Sequence, residues 1–305
     1  MSWTGLSPSV RAVLVLLLGI FLLDIMGAMV KSLLPHFSAQ ELSAWRNLIG
    51  MIPSLILLAW RGEFRVGRKR LIIRQWPLAL LRGVFVTFAQ LSFYYSLGKL
   101  EFATVSALSY TSALFAVALS VPVLKEKVGM VRWAAVLLGF LGAISVVNPG
   151  SETFSPVALL PLVAAFLYAA SSVSVRLIDR DVPNTLLYLY SAFAAAIGSV
   201  TLALLTTGFS PVYSVADLLR LITMGLFGGT GVLCLLVAWR LATPSILAPF
   251  NYFGILSAFI IGWLIFDEAP VDKLFPGVLL IVAGGLLIIW RERRVSRVRK
   301  ITPII

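Results

Sequence analysis

Ten apolar segments fill the chain from about Val10 to Trp290 and leave little sequence for anything else. A helix needs about 20 apolar residues to cross a hydrocarbon core about 30 Å thick. A mean hydropathy of +0.99 and a charged fraction of only 12% exclude an ordinary soluble domain. The sequence therefore predicts an all-α integral membrane protein with ten transmembrane helices. The predicted spans are 10–30, 40–60, 76–97, 102–122, 130–147, 155–176, 184–207, 217–240, 245–266 and 274–290.

The second half of the chain repeats the first. Leu81–Val147 aligns with Thr223–Ile289 without a gap, at a constant offset of 142 residues. The earlier helices correspond at an offset of 145 residues, where Val30-Lys31 matches Val175-Arg176. The pairs matched at the offset of 142 include Gly83 and Gly225, Phe85 and Phe227, Tyr110 and Tyr252, Glu126 and Glu268, and Gly142 and Gly284.

This offset has a mechanical meaning for a membrane protein. Five predicted helices lie between equivalent points, and an odd number of crossings turns the second copy upside down in the bilayer. The sequence thus predicts two inverted five-helix repeats, residues 1–150 and 151–305. Inverted repeats around a site at the midplane are the architecture of alternating-access transport. We therefore expect the chain to move a solute.

The net charge is +12, and the Lys and Arg residues are divided unevenly between the two predicted sides of the membrane. One side has 19 Lys and Arg residues, and the other has four, which are Lys31, Lys99, Arg220 and Arg240. The positive-inside rule then predicts that both termini are cytoplasmic. The basic segment 291–300 is expected to contact anionic lipid there rather than nucleic acid. The 19 cations are Arg11, Arg61, Arg65, Arg68, Lys69, Arg70, Arg74, Lys125, Lys127, Arg132, Arg176, Arg180, Lys273, Arg291, Arg293, Arg294, Arg297, Arg299 and Lys300.

Four local motifs carry a resemblance to a known family. They are Leu42–Arg46, Phe93–Leu97 followed by Ala103–Tyr110, Leu124–Lys127, and Thr243–Tyr252 together with Phe266–Glu268 and Gly277. In this order and spacing they resemble the EamA-type branch of the drug/metabolite transporter superfamily, over essentially the whole chain. The resemblance implies a ten-helix metabolite transporter, expected in a bacterial cytoplasmic membrane. The Ala-Pro-Phe-Asn-Tyr segment of the ninth helix looks closest to members that handle amino-acid-derived or riboflavin-like metabolites.

Two ionisable residues lie deep in the predicted spans. Asp24 is in the outer half of the first helix, and Arg46 is at a similar depth in the second. A charge at membrane depth is costly and normally faces a cavity or a partner. One interpretation is a structural Asp24–Arg46 pair. The other makes Asp24 a site for a substrate ammonium group or a proton, with Arg46 modulating its protonation.

Polar and aromatic side chains near mid-depth are candidates for the lining of a substrate cavity. Tyr110 and Tyr252 are equivalent in the repeat, and a buried tyrosine hydroxyl needs a partner; core packing is the alternative role. Asn251 follows Pro249, which can break a helix at the midplane. The full set of predicted cavity residues is Gln90, Tyr94, Tyr110, Tyr168, Trp239, Asn251 and Tyr252.

Three further expectations concern mechanism. Glu126 and Glu268 are predicted at the cytoplasmic ends of helices four and nine, as end caps or as a gate of ion pairs with nearby lysines and arginines. His36, Cys234 and one deep carboxylate form no convincing catalytic or metal-binding set. We therefore expect no enzyme, metal or cofactor site, and the absence of a phosphate-binding loop favours a secondary transporter. A flippase for a lipid-linked or polyprenyl-linked headgroup remains the main alternative, and a membrane enzyme a remote one.

Overall fold

The computed structural model of the chain is all-helical, with no β-strand in the described ranges. It describes residues 8–60, 73–125, 128–148, 155–179, 181–212, 214–242, 247, 250–268, 271–287 and 290. The helices are α1 (Pro8–Leu33), α2 (Ala39–Gly50), α3 (Ile52–Trp60), α4 (Trp76–Leu97), α5 (Phe102–Ser109), α6 (Ser112–Leu124), α7 (Met130–Val147), α8 (Leu160–Ser174), α9 (Asn184–Thr206), α10 (Val215–Leu241), α11 (Phe253–Phe266), α12 (Val271–Leu274) and α13 (Gly277–Leu287).

Seven helical stretches are long and apolar enough to cross a membrane. Two of them consist of two helices each, because α2 with α3 and α5 with α6 form continuous stretches. Three further apolar helices are shorter: Trp133–Val147 within α7, then α11 and α13. The chain is therefore an all-helical integral membrane protein, and each of the seven longer stretches and three shorter helices overlaps one of the predicted segments.

Local chemistry explains the two interruptions. Between α2 and α3, Pro53 has no N–H with which to continue the helical hydrogen bonds, and the chain turns at Met51. Between α5 and α6, the Thr111 hydroxyl donates to the Leu108 carbonyl at 2.6 Å. A side chain that bonds the backbone in this way competes with the helical pattern. The second interruption puts Tyr110 at a helix end rather than within a helix.

Glycines allow close approach between several helix pairs. A Cβ on Gly142 of α7 would lie 2.6 Å from the carbonyl oxygen of Gly277 and 2.8 Å from the backbone nitrogen of Ile281, both in α13. Conversely, a Cβ on Gly284 would lie 2.6 Å from the carbonyl oxygen of Ala135. Small residues permit such backbone contact in lipid, where van der Waals packing drives helix association.

Helix α10 runs antiparallel to α1. Gly19 packs at Gly231, Met26 packs at Gly228, and the start of α1 shares a cluster with Ala238 near the end of α10. We call the end of the bundle where α1 begins the Arg11 end, and the end where α1 finishes the Lys31 end. Since α10 finishes beside the start of α1, Arg240 lies at the Arg11 end.

The directions of the helices show that two cations, Arg240 and Lys273, lie at the opposite end of the bundle from the one predicted. Arg240 was predicted on the side of Lys31, whereas α10 carries it to the Arg11 end. Lys273 was predicted on the side of Arg11, but it lies in α12, whose Leu274 clusters with Ala103 near the Lys31 end. The two residues exchange sides, so the totals of 19 and four cations are unchanged.

Glu268 lies at the end opposite to the predicted one, and Trp239 lies at the Arg11 end. Glu268 follows α11 and forms an ion pair with Lys31, so its prediction at the cytoplasmic end, opposite Lys31, was wrong. Trp239 belongs to the last turns of α10, which finishes beside the start of α1. The physical reason is the same for both, because antiparallel packing of α1 with α10 determines where α10 ends and α11 begins.

Candidate substrate cavity

Asp24 lies on α1 where that helix faces α11. Its side chain is buried, with 9% of the residue exposed, and its Oδ2 atom has no hydrogen-bond partner. The Ser257 hydroxyl of α11 is the polar group beside it, and it too lacks a direct partner. A buried carboxylate oxygen without a donor is costly. Ser257 is the described group placed to donate to the Asp24 carboxylate.

Arg46 does not neutralise Asp24. Its Nη1 donates to Asn47 Oδ1 at 3.0 Å and its Nη2 donates to the Gly228 carbonyl at 3.3 Å, while Nε has no partner. No ion pair within 4.0 Å joins it to Asp24, so the predicted direct structural pair is wrong for this conformation. Arg46 is 5% exposed. Tyr94, Tyr168 and Tyr188 are the groups close enough to interact with it electrostatically.

Arg46 is connected through Asn47 to a buried hydrogen-bond cluster. Gln90 Oε1 accepts from Ser43 at 2.8 Å and from Asn47 at 2.7 Å, and Ser43 also bonds Ser199 at 2.8 Å. Helices α2, α4 and α9 are thereby joined. Gln90, predicted as cavity lining, is occupied in this cluster. Ser43 and Asn47 were missed, although their spacing of four residues puts them on one face of α2 with Arg46.

Tyr110 and Tyr252, which occupy equivalent positions in the repeat, contact each other. Their ring centroids are 6.4 Å apart with an interplanar angle of 42°. The Tyr110 hydroxyl lies against Gly254 and the Tyr252 hydroxyl against Gly285, where any Cβ would overlap the ring. Asp24 is near enough to Tyr110 to act on it electrostatically. This tyrosine pair thus borders the space beside Asp24.

The remaining predicted cavity residues are Tyr94, Tyr168, Asn251 and Trp239. Tyr94 is 1% exposed and donates to the Met26 sulfur at 3.6 Å, beside Arg46. Tyr168 is half-buried on α8 and close to Tyr94 and Arg46. Asn251 is half-buried next to Tyr252. The side chain of Trp239, and Pro249 altogether, lie outside the described part of the chain.

An ion pair joins three helices at the Lys31 end. Lys31 Nζ lies 2.5 Å from Glu268 Oε1 and 2.7 Å from Oε2, and it also donates to the Leu100 carbonyl at 2.9 Å. Glu268 Oε2 accepts the Phe102 N–H at 2.8 Å. The ammonium group further lies 5.1 Å from the centroid of the Phe266 ring. This set joins α1, α5 and α11, and we name it the Lys31–Glu268 gate for the role proposed below. Glu126 lies outside the described residues.

Two apolar grooves lie on the outside of the bundle, away from these polar groups. One, of about 310 Å³, is lined by Phe115, Leu159, Leu162, Val163 and Phe166. The other, of about 230 Å³, is lined by Leu48, Met51, Phe193, Ala196, Ile197, Val200 and Thr201. Their apolar lining suits lipid chains. The chemistry for a polar solute lies inside the bundle, around Asp24 and Arg46.

Several known transporters are similar to this chain. A riboflavin transporter of Vibrio cholerae is 32% identical over 64% of this chain and 65% of that protein. An S-adenosylmethionine uptake transporter of Rickettsia bellii is 24% identical, covering 91% of this chain and 94% of that protein. The pseudopaline exporter CntI of Pseudomonas aeruginosa is 27% identical, covering 94% and 96%. A solved crystal structure shares the fold, with a TM-score of 0.64 at 20% identity, over 93% of this chain and 98% of that one.

One family model covers nearly the whole sequence. It matches the chain twice, at residues 10–148 and 155–290, and it describes the EamA-like transporter family. The two matches include the helices that carry Asp24, Arg46, Tyr110 and Tyr252. The chain therefore belongs to the EamA-like transporter family, within the drug/metabolite transporter superfamily.

Proposed function

We propose that this protein is a secondary transporter that carries a small polar metabolite across the cytoplasmic membrane by alternating access. The observation that carries this proposal is that Asp24 and Arg46 are both buried without an ion-pair partner among the described residues, and that Asp24 lies near Tyr110 of the repeat-related tyrosine pair. Intramembrane ionisable residues of this kind usually mark a substrate or ion pathway. The similar proteins, named for riboflavin, S-adenosylmethionine and pseudopaline, support a small organic metabolite as cargo.

The proposed architecture is two inverted five-helix repeats, residues 1–150 and 151–305. Reciprocal contacts support it. Gly142 packs at Gly277 and Ala135 packs at Gly284; adding 142 to Gly142 gives Gly284 and subtracting 142 from Gly277 gives Ala135, so the repeat converts one pair into the other. Such exchange of partners is what a two-fold axis between repeats produces. The packing of α1 on α10 likewise matches that of α8 on α4, and each half matches the family model separately.

The proposed orientation puts the Arg11 end in the cytoplasm, because the sequence predicts 19 of the Lys and Arg residues on the side of Arg11. We expect single cysteines introduced in 62–75 to react with a membrane-impermeant maleimide only in inside-out vesicles. A cysteine in place of Lys99 should react in intact cells and serves as the matched control. Native Cys234 is first replaced by alanine. Labelling of 62–75 from outside the cell contradicts the orientation.

Transport requires that each end opens in turn, and the Lys31–Glu268 gate is the closure at one end. Glu268→Gln keeps an oxygen for the Phe102 N–H but removes the charge that holds Lys31. We expect a cysteine introduced at Ala103, now buried, to label about fivefold faster in this variant, as a loss of about 1 kcal/mol predicts. Arg220→Gln, which breaks the exposed pair with Asp217, is the control. Equal labelling in both variants contradicts the gate.

The repeat suggests a second gate at the Arg11 end. It relates Lys31 to Arg176 and Glu268 to Glu126. We expect Glu126 and Arg176 to pair when the Lys31–Glu268 gate is open. The role of Glu126 stays a prediction, tested by whether Glu126→Gln slows labelling of the Ala103 cysteine in the Glu268→Gln background.

Substitutions in the tyrosine pair test whether the cavity is the transport site. Tyr110→Ala and Tyr252→Ala are each expected to lower the initial transport rate about tenfold, because aromatic contacts to a desolvated cationic group contribute up to about 2 kcal/mol. The assay uses proteoliposomes and the metabolite that most raises the melting temperature of the purified protein. Tyr95→Ala, at an exposed tyrosine on α4, is the matched control. Parental rates in both variants would remove the pair from the site.

If the protein is instead a flippase, its activity should depend on residues on the outside of the bundle. A lipid-linked headgroup would keep its acyl chain outside the bundle, for example in the groove beside Phe115 and Phe166. Under that alternative, Phe166→Ala lowers activity and water-soluble metabolites fail to stabilise the protein. Under our proposal, Phe166→Ala leaves transport of the metabolite within about twofold, as expected for a surface substitution away from the site.

A further inference from the structure

One face of α1 leads from the bundle interior to the Lys31–Glu268 gate. Its positions are spaced by four, three and four residues, which puts them in one stripe along the helix. Near its start, a Cβ on Gly254 of α11 would lie 3.0 Å from the side chain of α1, and farther along the stripe Asp24 lies beside Ser257 of α11. The stripe therefore follows the contact between α1 and α11. It consists of Ile20, Asp24, Gly27 and Lys31.

The ring of Phe102 covers this stripe between Asp24 and the gate. Its Cε2 and Cζ atoms would lie 3.1 and 3.3 Å from a Cβ on Gly27, so the ring occupies the space that a side chain at that position would fill. With a rise of 1.5 Å per residue, Gly27 lies about 4.5 Å beyond Asp24 and about 6 Å before Lys31 along the helix. Phe102 is 1% exposed. An aromatic ring thus lies between the buried carboxylate and the Lys31 end.

The residues of the gate also fix the position of this ring. Glu268 Oε2 accepts the Phe102 N–H at 2.8 Å, while the same carboxylate pairs with Lys31. Phe266 packs beside the ring, with the two centroids 6.1 Å apart. Movement of Glu268 would therefore release the first turn of α5 together with Lys31. One carboxylate links the ion pair of the gate to the position of the ring.

The repeat does not reproduce this arrangement at the other end of the bundle. The offset of 145 residues relates Gly27 to Ser172, and the offset of 142 residues relates Phe102 to Pro244. The equivalent positions in the sequence thus have neither the aromatic ring nor the glycine that accommodates it. The ring and its glycine are specific to the Lys31 end.

We propose that Phe102 is a seal that separates the space beside Asp24 from the Lys31 end, and that Gly27 provides the space for its ring. This inference rests on the proposed transport function, because alternating access requires a closure between the interior site and each end in turn. Protein interiors are closely packed and relax only partly when a large side chain is lost, so removal of the ring leaves a gap. Oxygens of Asp24 and Glu268 would border that gap and could bind water in it.

The test measures access to the space beside Asp24 without any substrate. A cysteine replaces Ser257, which is 5% exposed, after native Cys234 has been changed to alanine. A membrane-impermeant methanethiosulfonate is applied to right-side-out and to inside-out vesicles, and a cysteine in place of Lys99 identifies the preparation whose Lys31 end faces the reagent. We expect Phe102→Ala to raise the labelling rate from that end about tenfold or more, because access no longer waits for the gate to open. The rate from the opposite end should not change.

A second substitution distinguishes a seal from a general loosening of the bundle. In the Phe102→Ala background, Gly27→Leu places a side chain of α1 in the space of the lost ring and should restore slow labelling. Gly27→Leu alone should lower the melting temperature, because its Cβ would press on the Phe102 ring. Phe88→Ala, at a half-exposed phenylalanine of α4, is the matched control and should label at the parental rate.

A milder pair of variants keeps the test decisive if Phe102→Ala fails to fold. Phe102→Leu retains an apolar side chain but loses the ring, and we expect a smaller rise in labelling from the Lys31 end alone. Gly27→Ala should remove that rise in the Phe102→Leu background, because the added methyl group narrows the gap.

Three results overturn the inference. An unchanged labelling rate means that another group closes the Lys31 end, and an equal rise from both ends means that the whole bundle has loosened. Failure of the Gly27 substitutions to restore slow labelling means that the ring does not act by filling this space. The proposed function is judged separately, by transport of a metabolite in proteoliposomes. It stands if transport occurs although the seal is rejected, and it fails if no metabolite is transported, whatever the labelling shows.

Discussion

Asp24→Asn is expected to abolish accumulation against a gradient while leaving the yield of folded protein unchanged. The substitution keeps the volume of the side chain and removes its charge. Losing one partner of a buried charge pair costs about 2–5 kcal/mol, so transport of a substrate held at Asp24 should fall by a factor of about 30 or more. Because Arg46 does not contact Asp24, its bonds to Asn47 and Gly228 survive.

The expected effect on stability separates this arrangement from a direct ion pair. Neutralising a buried carboxylate that lacks a partner removes a desolvation cost, so the melting temperature should stay the same or rise. A marked fall in melting temperature, rescued in the Asp24→Asn/Arg46→Gln double variant, would instead indicate that the two residues pair. Asp217→Asn provides the matched control at an exposed aspartate. If transport by the double variant still responds to a pH gradient, Asp24 is not the coupling site.

The second large effect is expected in folding. Gly142→Val should sharply lower the yield of folded protein, because a Cβ at this position would meet backbone atoms of Gly277 and Ile281, which cannot rotate away. Overpacking typically costs about 1–3 kcal/mol, and the two added methyl groups increase the overlap. Size-exclusion chromatography and thermal unfolding in detergent measure the effect.

The control for this prediction is the glycine immediately before the same helix. Gly129 precedes α7 and has nothing within 4 Å of a Cβ, and its φ of −74° suits any residue. Gly129→Ala should therefore fold normally. Gly277→Val, at the reciprocal contact, should resemble Gly142→Val. If Gly142→Val and Gly129→Ala unfold at the same temperature, α7 and α13 do not pack as described.

Much of the fold could be predicted because membrane insertion depends on a simple property of the sequence. Length and hydropathy located every long apolar helix that the structure describes, and the motifs led to the family that the comparisons confirmed. The equivalence of Tyr110 and Tyr252 was visible in the repeat, but their contact was found only in the structure. These features are encoded locally or in the repeat itself.

The partners of the charged side chains could not be predicted in the same way. Asp24 and Arg46 lie at similar depths, which suggested a pair, but depth does not specify the direction in which a side chain points around its helix. The rotation of α1 turns Asp24 towards Ser257, and α2 turns Arg46 towards Gly228. Gln90 likewise found its partners, Ser43 and Asn47, on α2, which is distant in the sequence.

The sequence by itself determined the membrane location, the helical class and the family of this protein, because apolar length, charge distribution and motif order are properties of the chain alone. Only the tertiary structure decided that Glu268 pairs with Lys31, that Arg240 and Lys273 lie on opposite sides from those predicted, and that Asp24 lies beside Ser257 without an ion-pair partner among the described residues. Each of these depends on how neighbouring helices are directed and rotated when their small residues pack together.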